Sequence, residues 1–274
     1  MTEPAATDPP AQDSAALDAA DAEPFQIEVT IAASVEAVWR ELREPARVRH
    51  WHGWDAEGND PEIELIYFTD VTESPGEYRL EVNGGDAFTL HPQGARTLVR
   101  MTRAPMGVNP EWDAYYEDIN EGWLTFMQQL RFALEHHADA ERRTLFLSGA
   151  STGAGDPREE LGLSDVAEGP AGGRYDDTVV DERVGGQLWF RSPNQLGVTV
   201  DEWGEGLLVV GATPGSPSQP HGGAMAVLTT YGLDDPAFAD LAARWEGWWQ
   251  QRYPSADGVV TWPPADAALQ GSAS

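Results

Sequence analysis

Glu117–His137, EDINEGWLTFMQQLRFALEHH, is the stretch whose reading decides the fold. Ile119, Trp123, Phe126, Leu130, Ala133 and Leu134 recur at helical spacing and lay one broad apolar stripe along a helix of about five turns. A long stripe with Trp and Phe toward its N-terminal half needs a concave, apolar partner. The segments before it alternate with period two, so that partner is expected to be a curved antiparallel sheet. The space between sheet and helix is the expected pocket.

Upstream, Phe25–Ile31 (FQIEVTI) places Phe25, Ile27, Val29 and Ile31 on one face and polar residues on the other, the pattern of a half-buried strand. Ser34 is set to cap a short helix with Glu36 in its first turn and Val35, Val38, Trp39 and Leu42 inward. Pro45 suits the start of a second short helix ending at Trp51. A meander is expected next: a strand over Glu62–Phe68, a turn at Pro75-Gly76, a strand over Glu77–Val82, a hairpin at Asn83-Gly84, then Ala87–Leu90 and Thr97–Arg103.

Downstream, Ser148–Arg174 is rich in Gly, Ser, Ala, Pro and acids, and 141–175 reads as a linker. Short strands resume at Thr178–Arg183, Gln187–Arg191, Gly197–Trp203, Gly206–Ala212 and Ala224–Tyr231. Asp235 and Pro236 then open a second helix whose stripe is Phe238, Leu241, Trp245, Trp248 and Trp249. Glu121-Gly122-Trp123 recurs as Glu246-Gly247-Trp248, each followed by a Gln-Gln pair. The second half thus reads as a partial copy that lacks the opening strand and the two short helices. Its aromatic stripe is too large for five short strands to cover, so it is expected to dock on the first domain. The expected division is an acidic tail over 1–23, a sheet-and-helix domain over 24–140, the linker, a partial repeat over 176–256 and a flexible tail over 257–274.

Composition narrows the function. Forty-six acidic residues oppose 17 basic ones for a formal charge of −29, and every basic residue is Arg. The missing Lys removes a phosphate-loop lysine and a Schiff base. So acidic a surface repels nucleic acid and anionic lipid. No apolar run is long enough to span a bilayer, and the N-terminus lacks the pattern of a secretory signal, so the expected location is cytoplasmic. With no Cys, disulfide and thiolate chemistry are absent.

The stretch VTIAASVEAVWRELREPARVRHW resembles the opening of the START-like (SRPBCC) superfamily, and within it the Hsp90-ATPase-activator-like branch. Val38-Trp39, Pro45 and Trp51 carry the likeness, with Gly122-Trp123 resembling the Gly-Trp of the family's last helix; Ala33-Ser34 departs from the usual Ala-Pro. The resemblance covers about residues 24–138. It implies an α+β helix-grip fold, an antiparallel sheet wrapped around a long C-terminal helix over a deep apolar cavity. The family ranges from lipid and polyketide binders to cyclases and co-chaperones.

The leading expectation is a binder of a small hydrophobic or aromatic ligand held between sheet and helix. Its expected lining is Trp39, Trp51, Trp54, Tyr78, Arg100, Trp112, Tyr115, Trp123, Phe126 and Leu130. Two alternatives remain open: a co-chaperone-like interaction module, and a metal-independent cyclase or hydro-lyase using Tyr, His and Arg. No catalytic set stands out, and no cofactor is expected. His50-Trp51-His52 with Asp55 and Asp60 offers metal-type ligands, but no further cluster completes a site. The expected partners are a small apolar ligand and, under the alternative, a protein; the chain is expected as a monomer or homodimer.

Overall fold

The computed structural model describes residues 25–56, 58–82, 85–105, 116–151, 155–213 and 222–255. It contains two antiparallel sheets, each followed by a long helix, and it is α+β as expected. The first unit runs β1 (Gln26–Ile31), α1 (Val35–Arg43), α2 (Pro45–Val48), α3 (Asn59–Phe68), β2 (Thr72–Ser74), β3 (Arg79–Val82), β4 (Asp86–Gln93), β5 (Arg96–Thr102) and the long helix α4 (Tyr116–His136). Its sheet has the order β1-β5-β4-β3-β2. β1 alternates exposed and buried along its length, with Ile27, Val29 and Ile31 inward. The Ser34 side chain caps α1 by accepting from the Ala37 N–H at 3.3 Å.

One expected strand is a helix. EIELIYF alternates with period two through Ile63, Leu65 and Tyr67, but it also carries Ile63, Ile66 and Tyr67 at helical spacing. The helix buries Glu62, Ile63, Ile66 and Tyr67 and leaves Leu65 exposed. Pro61, in its first turn, suits a helix start and not a central strand. The Asn83-Gly84 turn lies outside the described residues, although β3 and β4 pair antiparallel on either side of it.

The expected linker also holds ordered structure. The second unit opens with β6 (Arg142–Ala150), which pairs along its whole length with the last strand of its sheet. Two short helices follow, α5 (Pro157–Glu160) and α6 (Ser164–Glu168), then β7 (Arg174–Val179), β8 (Glu182–Arg191), β9 (Gln195–Val200), β10 (Gly206–Thr213), β11 (Gly223–Tyr231) and the long helix α7 (Asp235–Arg252). The sheet order is β6-β11-β10-β9-β8-β7. The second half therefore has an opening strand and paired short helices of its own, contrary to the partial-copy expectation.

The layers are first sheet, α4, second sheet, α7. Helix α4 sits between the sheets: Trp123, Phe126, Met127 and Leu130 share a core with the first sheet, and that core continues into Leu207, Val209, Val227 and Tyr231 of the second. The opposite face of the second sheet, with Val198, Val200, Leu208 and Leu228, meets Leu241, Trp245 and Trp249 of α7. The docking rationale changes accordingly. Six strands cover the α7 stripe, and it is the other face of that sheet that rests on α4.

Candidate functional site

The loop after α2 brings Trp51, His52 and Trp54 under α4. Gly53 has φ +61°, a left-handed conformation that glycine adopts without steric cost, and a Cβ there would sit 2.5 Å from the Asn59 side chain. This turn sends His52 into the first unit. The ring of His52 is 4.5 Å from that of Phe126 and 5.9 Å from that of Trp123. Tyr67, from α3, lies 5.6 Å from Trp51, and Phe88 of β4 lies 5.6 Å from Trp123, ring to ring.

Two polar groups are set into this aromatic cluster. In the first, His52 Nδ1 is 2.9 Å from the Tyr67 hydroxyl, and His52 Nε2 is 3.7 Å from a Glu62 carboxylate oxygen. His52 and Tyr67 are fully buried and Glu62 is nearly so. Burial pushes the Tyr67 phenol well above its ordinary range, and the Glu62 and Asp86 charges add to the shift. A phenol so held stays protonated, and it can donate to Nδ1 or accept from it according to the His52 tautomer. Nε2 faces Glu62 and has no hydrogen-bond partner among the described residues. The arrangement is a buried Tyr–His pair with a carboxylate 3.7 Å away, beyond hydrogen-bond distance, set next to an aromatic surface.

In the second group, Asp86 at the start of β4 accepts from the Ala104 N–H at 2.9 Å and lies 3.7 Å from Arg103 Nε. Arg103 Nη1 donates to Asn120 Oδ1 at 2.7 Å, in the first turns of α4. All three side chains are buried. Burial raises the Asp86 pKa, opposed by the Ala104 N–H and by Arg103. Asp86 and Phe88 share one face of β4, as Asn120 and Trp123 share one face of α4, so this group borders the same cluster. A guanidinium and an amide here can orient a carbonyl or hydroxyl.

Of the expected lining, Trp51, Trp54, Trp123, Phe126 and Leu130 are buried in this region. Trp39 and Tyr78 form a separate edge-to-face pair at 5.9 Å, and the Tyr78 hydroxyl donates to Glu36 at 3.3 Å near the surface. Arg100 is a correction. Its neighbours Val99 and Met101 point inward, so strand alternation turns Arg100 outward, where it pairs with Glu28 at 2.6 Å. Trp112 and Tyr115 lie outside the described residues. Sequence reasoning passed over Glu62, Tyr67, Asp86 and Asn120 as site residues, and it placed Arg103 at the end of a strand. The phase of β5, with Val99 and Met101 buried, was the signal that Arg103 points in.

His50 and Asp60 stay near the surface, and the described residues contain no group of three or more His, Asp or Glu fit to hold a metal. No described helix is long and apolar enough to cross a membrane. Described residues form open clefts away from this cluster. One of about 380 Å³ lies beside Phe132, His136 and Trp189, and one of about 400 Å³ lies between β1 and α4 beside Gln128 and Arg131.

No protein-family model matches the sequence, and no curated protein matches it. Among solved structures the chain is similar to DynU16, a protein of the dynemicin biosynthetic locus, at 19% identity over 83% of this chain and 95% of that chain, with a TM-score of 0.31. It is also similar to the di-domain ARO/CYC BexL from the BE-7585A biosynthetic pathway, at 11% identity over 86% of this chain and 100% of that one, TM-score 0.32. A third is the di-domain ARO/CYC StfQ from the steffimycin biosynthetic pathway, at 14%, 83% and 92%, TM-score 0.31. With TM-scores in this range, the helix-grip assignment rests on the chain's own strand order and on the wrapping of α4.

Proposed function

We propose that the chain binds a small aromatic or apolar molecule carrying at least one oxygen function, held by the first unit against Trp123 of α4. One observation carries the reading: two buried polar groups, Tyr67–His52–Glu62 and Asp86–Arg103–Asn120, border one aromatic cluster. Burying such groups costs several kcal/mol, on the order of what a buried ion pair loses in solvation. A core evolved for stability alone is better served by apolar side chains. Native mass spectrometry of the chain purified from its own source tests the reading. A bound small molecule that is lost in Trp123→Ala, and retained in a surface variant such as Arg100→Ala, supports it. A ligand-free chain, with no thermal shift across a panel of hydroxylated aromatics, overturns it.

The buried Tyr67–His52 pair favours a second reading, a metal-independent enzyme that moves a proton on the bound molecule. Turnover of a captured ligand that stops in Tyr67→Phe would support it. The co-chaperone-like reading draws on Val38-Trp39, Pro45 and Trp51. Val38 and Trp51 are fully buried, so these two carriers of that likeness serve packing.

A further inference from the structure

Resting on the ligand-binding reading, we infer that Arg142, from the second unit, is a positioning residue for the site in the first. The Arg142 guanidinium has five N–H groups, and each meets an acceptor. Nε donates to the Arg49 carbonyl at 3.0 Å. Nη1 donates to the Trp51 carbonyl at 3.3 Å and to Gln129 Oε1 at 2.7 Å. Nη2 donates to the His52 and Gly53 carbonyls at 2.5 and 3.0 Å. Among the described residues no carboxylate lies within ion-pair distance of it. Burial pulls its pKa down to about 10, which leaves the cation intact at neutral pH.

A half-buried cation whose donors meet backbone carbonyls and one amide fixes the path of a chain, and the nearby Asp55 charge adds attraction without an ion pair. The chain it fixes is the loop from which His52 and Trp54 project. The next inward residues of β6 grip the same loop. Thr144 Oγ1 accepts from the Asp55 N–H at 2.5 Å, and the Thr144 N–H donates to Asp55 Oδ2 at 2.7 Å. The Phe146 ring stacks on Trp54 at 3.8 Å and 7°. Arg142, Thr144 and Phe146 form one row of a strand, spaced by two, and each holds a different part of residues 49–55. The second sheet thus acts as a template for the loop that sets the His52–Tyr67 geometry. Lysine cannot replace the planar fork, because its three donors radiate from a single nitrogen.

The test uses the full chain with Arg142→Lys, and Arg143→Ala as a control on the same strand, since Arg143 pairs with Asp235 at the surface. Two readouts are taken: the ring-nitrogen NMR signals of His52, and the affinity for 2-naphthol by ligand-observed NMR. The expected result is a changed His52 Nδ1 signal and at least a tenfold loss of affinity in Arg142→Lys, with both unchanged in Arg143→Ala. A folded Arg142→Lys with wild-type His52 signals and affinity overturns the inference. Should that variant fail to fold, Thr144→Val is judged by the same readouts, and an unchanged His52 signal counts against the inference. If the wild type binds no naphthol, the His52 signal alone decides the role of Arg142, and only the ligand reading is set back.

Discussion

Helix α4 has a sheet on each side, whereas α7 has a sheet beneath it and solvent above. The two share Glu-Gly-Trp followed by Gln-Gln, yet the shared residues do different work. Trp123 is buried at the centre of the first unit, while Trp248 is half-buried beneath the Arg252 guanidinium, which lies 4.1 Å from its ring. Glu121 accepts from Asn194 Nδ2 at 2.8 Å and Gln195 Nε2 at 2.7 Å, clasping α4 to the second sheet; Glu246 is exposed. The interiors differ more. Among the described residues, every buried carboxylate, histidine and arginine belongs to the first unit, and the core between the second sheet and α7 is aliphatic and aromatic. One unit buries ionisable groups; the other covers α4 and holds the 49–55 loop of the first.

Truncating a large core aromatic is the strongest way to probe this contrast. Trp123→Ala and Trp249→Ala are each expected to cost about 3–5 kcal/mol of unfolding free energy, read from urea midpoints. Only Trp123→Ala should also abolish ligand capture. Equal loss of ligand in a folded Trp249→Ala would break the division of labour between the units.

Removing a buried charge ranks next. Asp86→Ala removes the carboxylate 3.7 Å from Arg103 Nε and the acceptor of the Ala104 N–H, and should cost on the order of 3 kcal/mol. Thr230→Val, which removes a 3.2 Å bond to the Arg143 carbonyl in the second sheet, should cost about 1 kcal/mol. Reversed magnitudes in denaturant melts would argue that the first interior is not a closely held polar site. Gly53→Ala sharpens the same point at the loop, since a left-handed alanine costs roughly 1–2 kcal/mol before any clash with Asn59 is counted. Its His52 ring signals should shift, and their constancy would detach His52 from this turn.

These elements also show what the sequence made legible. The α4 stripe, the β1 alternation and the Ser34 cap are local patterns, each set by residues within a few positions of one another, and each appears in the fold. β6 was missed because its sheet is covered on both faces. Leu145, Phe146 and Leu147 form a continuous apolar run with no alternation, next to a Gly- and Ser-rich stretch that looked like linker. The His52–Tyr67 pair was missed for a different reason. His52 and Tyr67 meet only because Glu62–Phe68 is a helix, and a strand there would have sent Tyr67 elsewhere.

The smallest effect concerns pH. Burial, then the charges of Arg47 and Arg142, lower the His50 pKa from its ordinary 6.5. A histidine held below its unfolded value gives stability that is fully present above about 6.5 and fades as pH falls toward the folded value. The melting temperature should therefore decline slightly below pH 6.5, and less so in His50→Gln. An identical slope in that variant would show that His50 makes no contribution.

A crystal structure of the chain with the molecule found by native mass spectrometry, or with 2-naphthol, tests the central claim most directly. The account predicts ligand density against Trp123, with its oxygen within hydrogen-bonding distance of Tyr67, His52, Arg103 or Asn120. Density confined to the cleft beside Trp189, or lodged between the second sheet and α7, would contradict it.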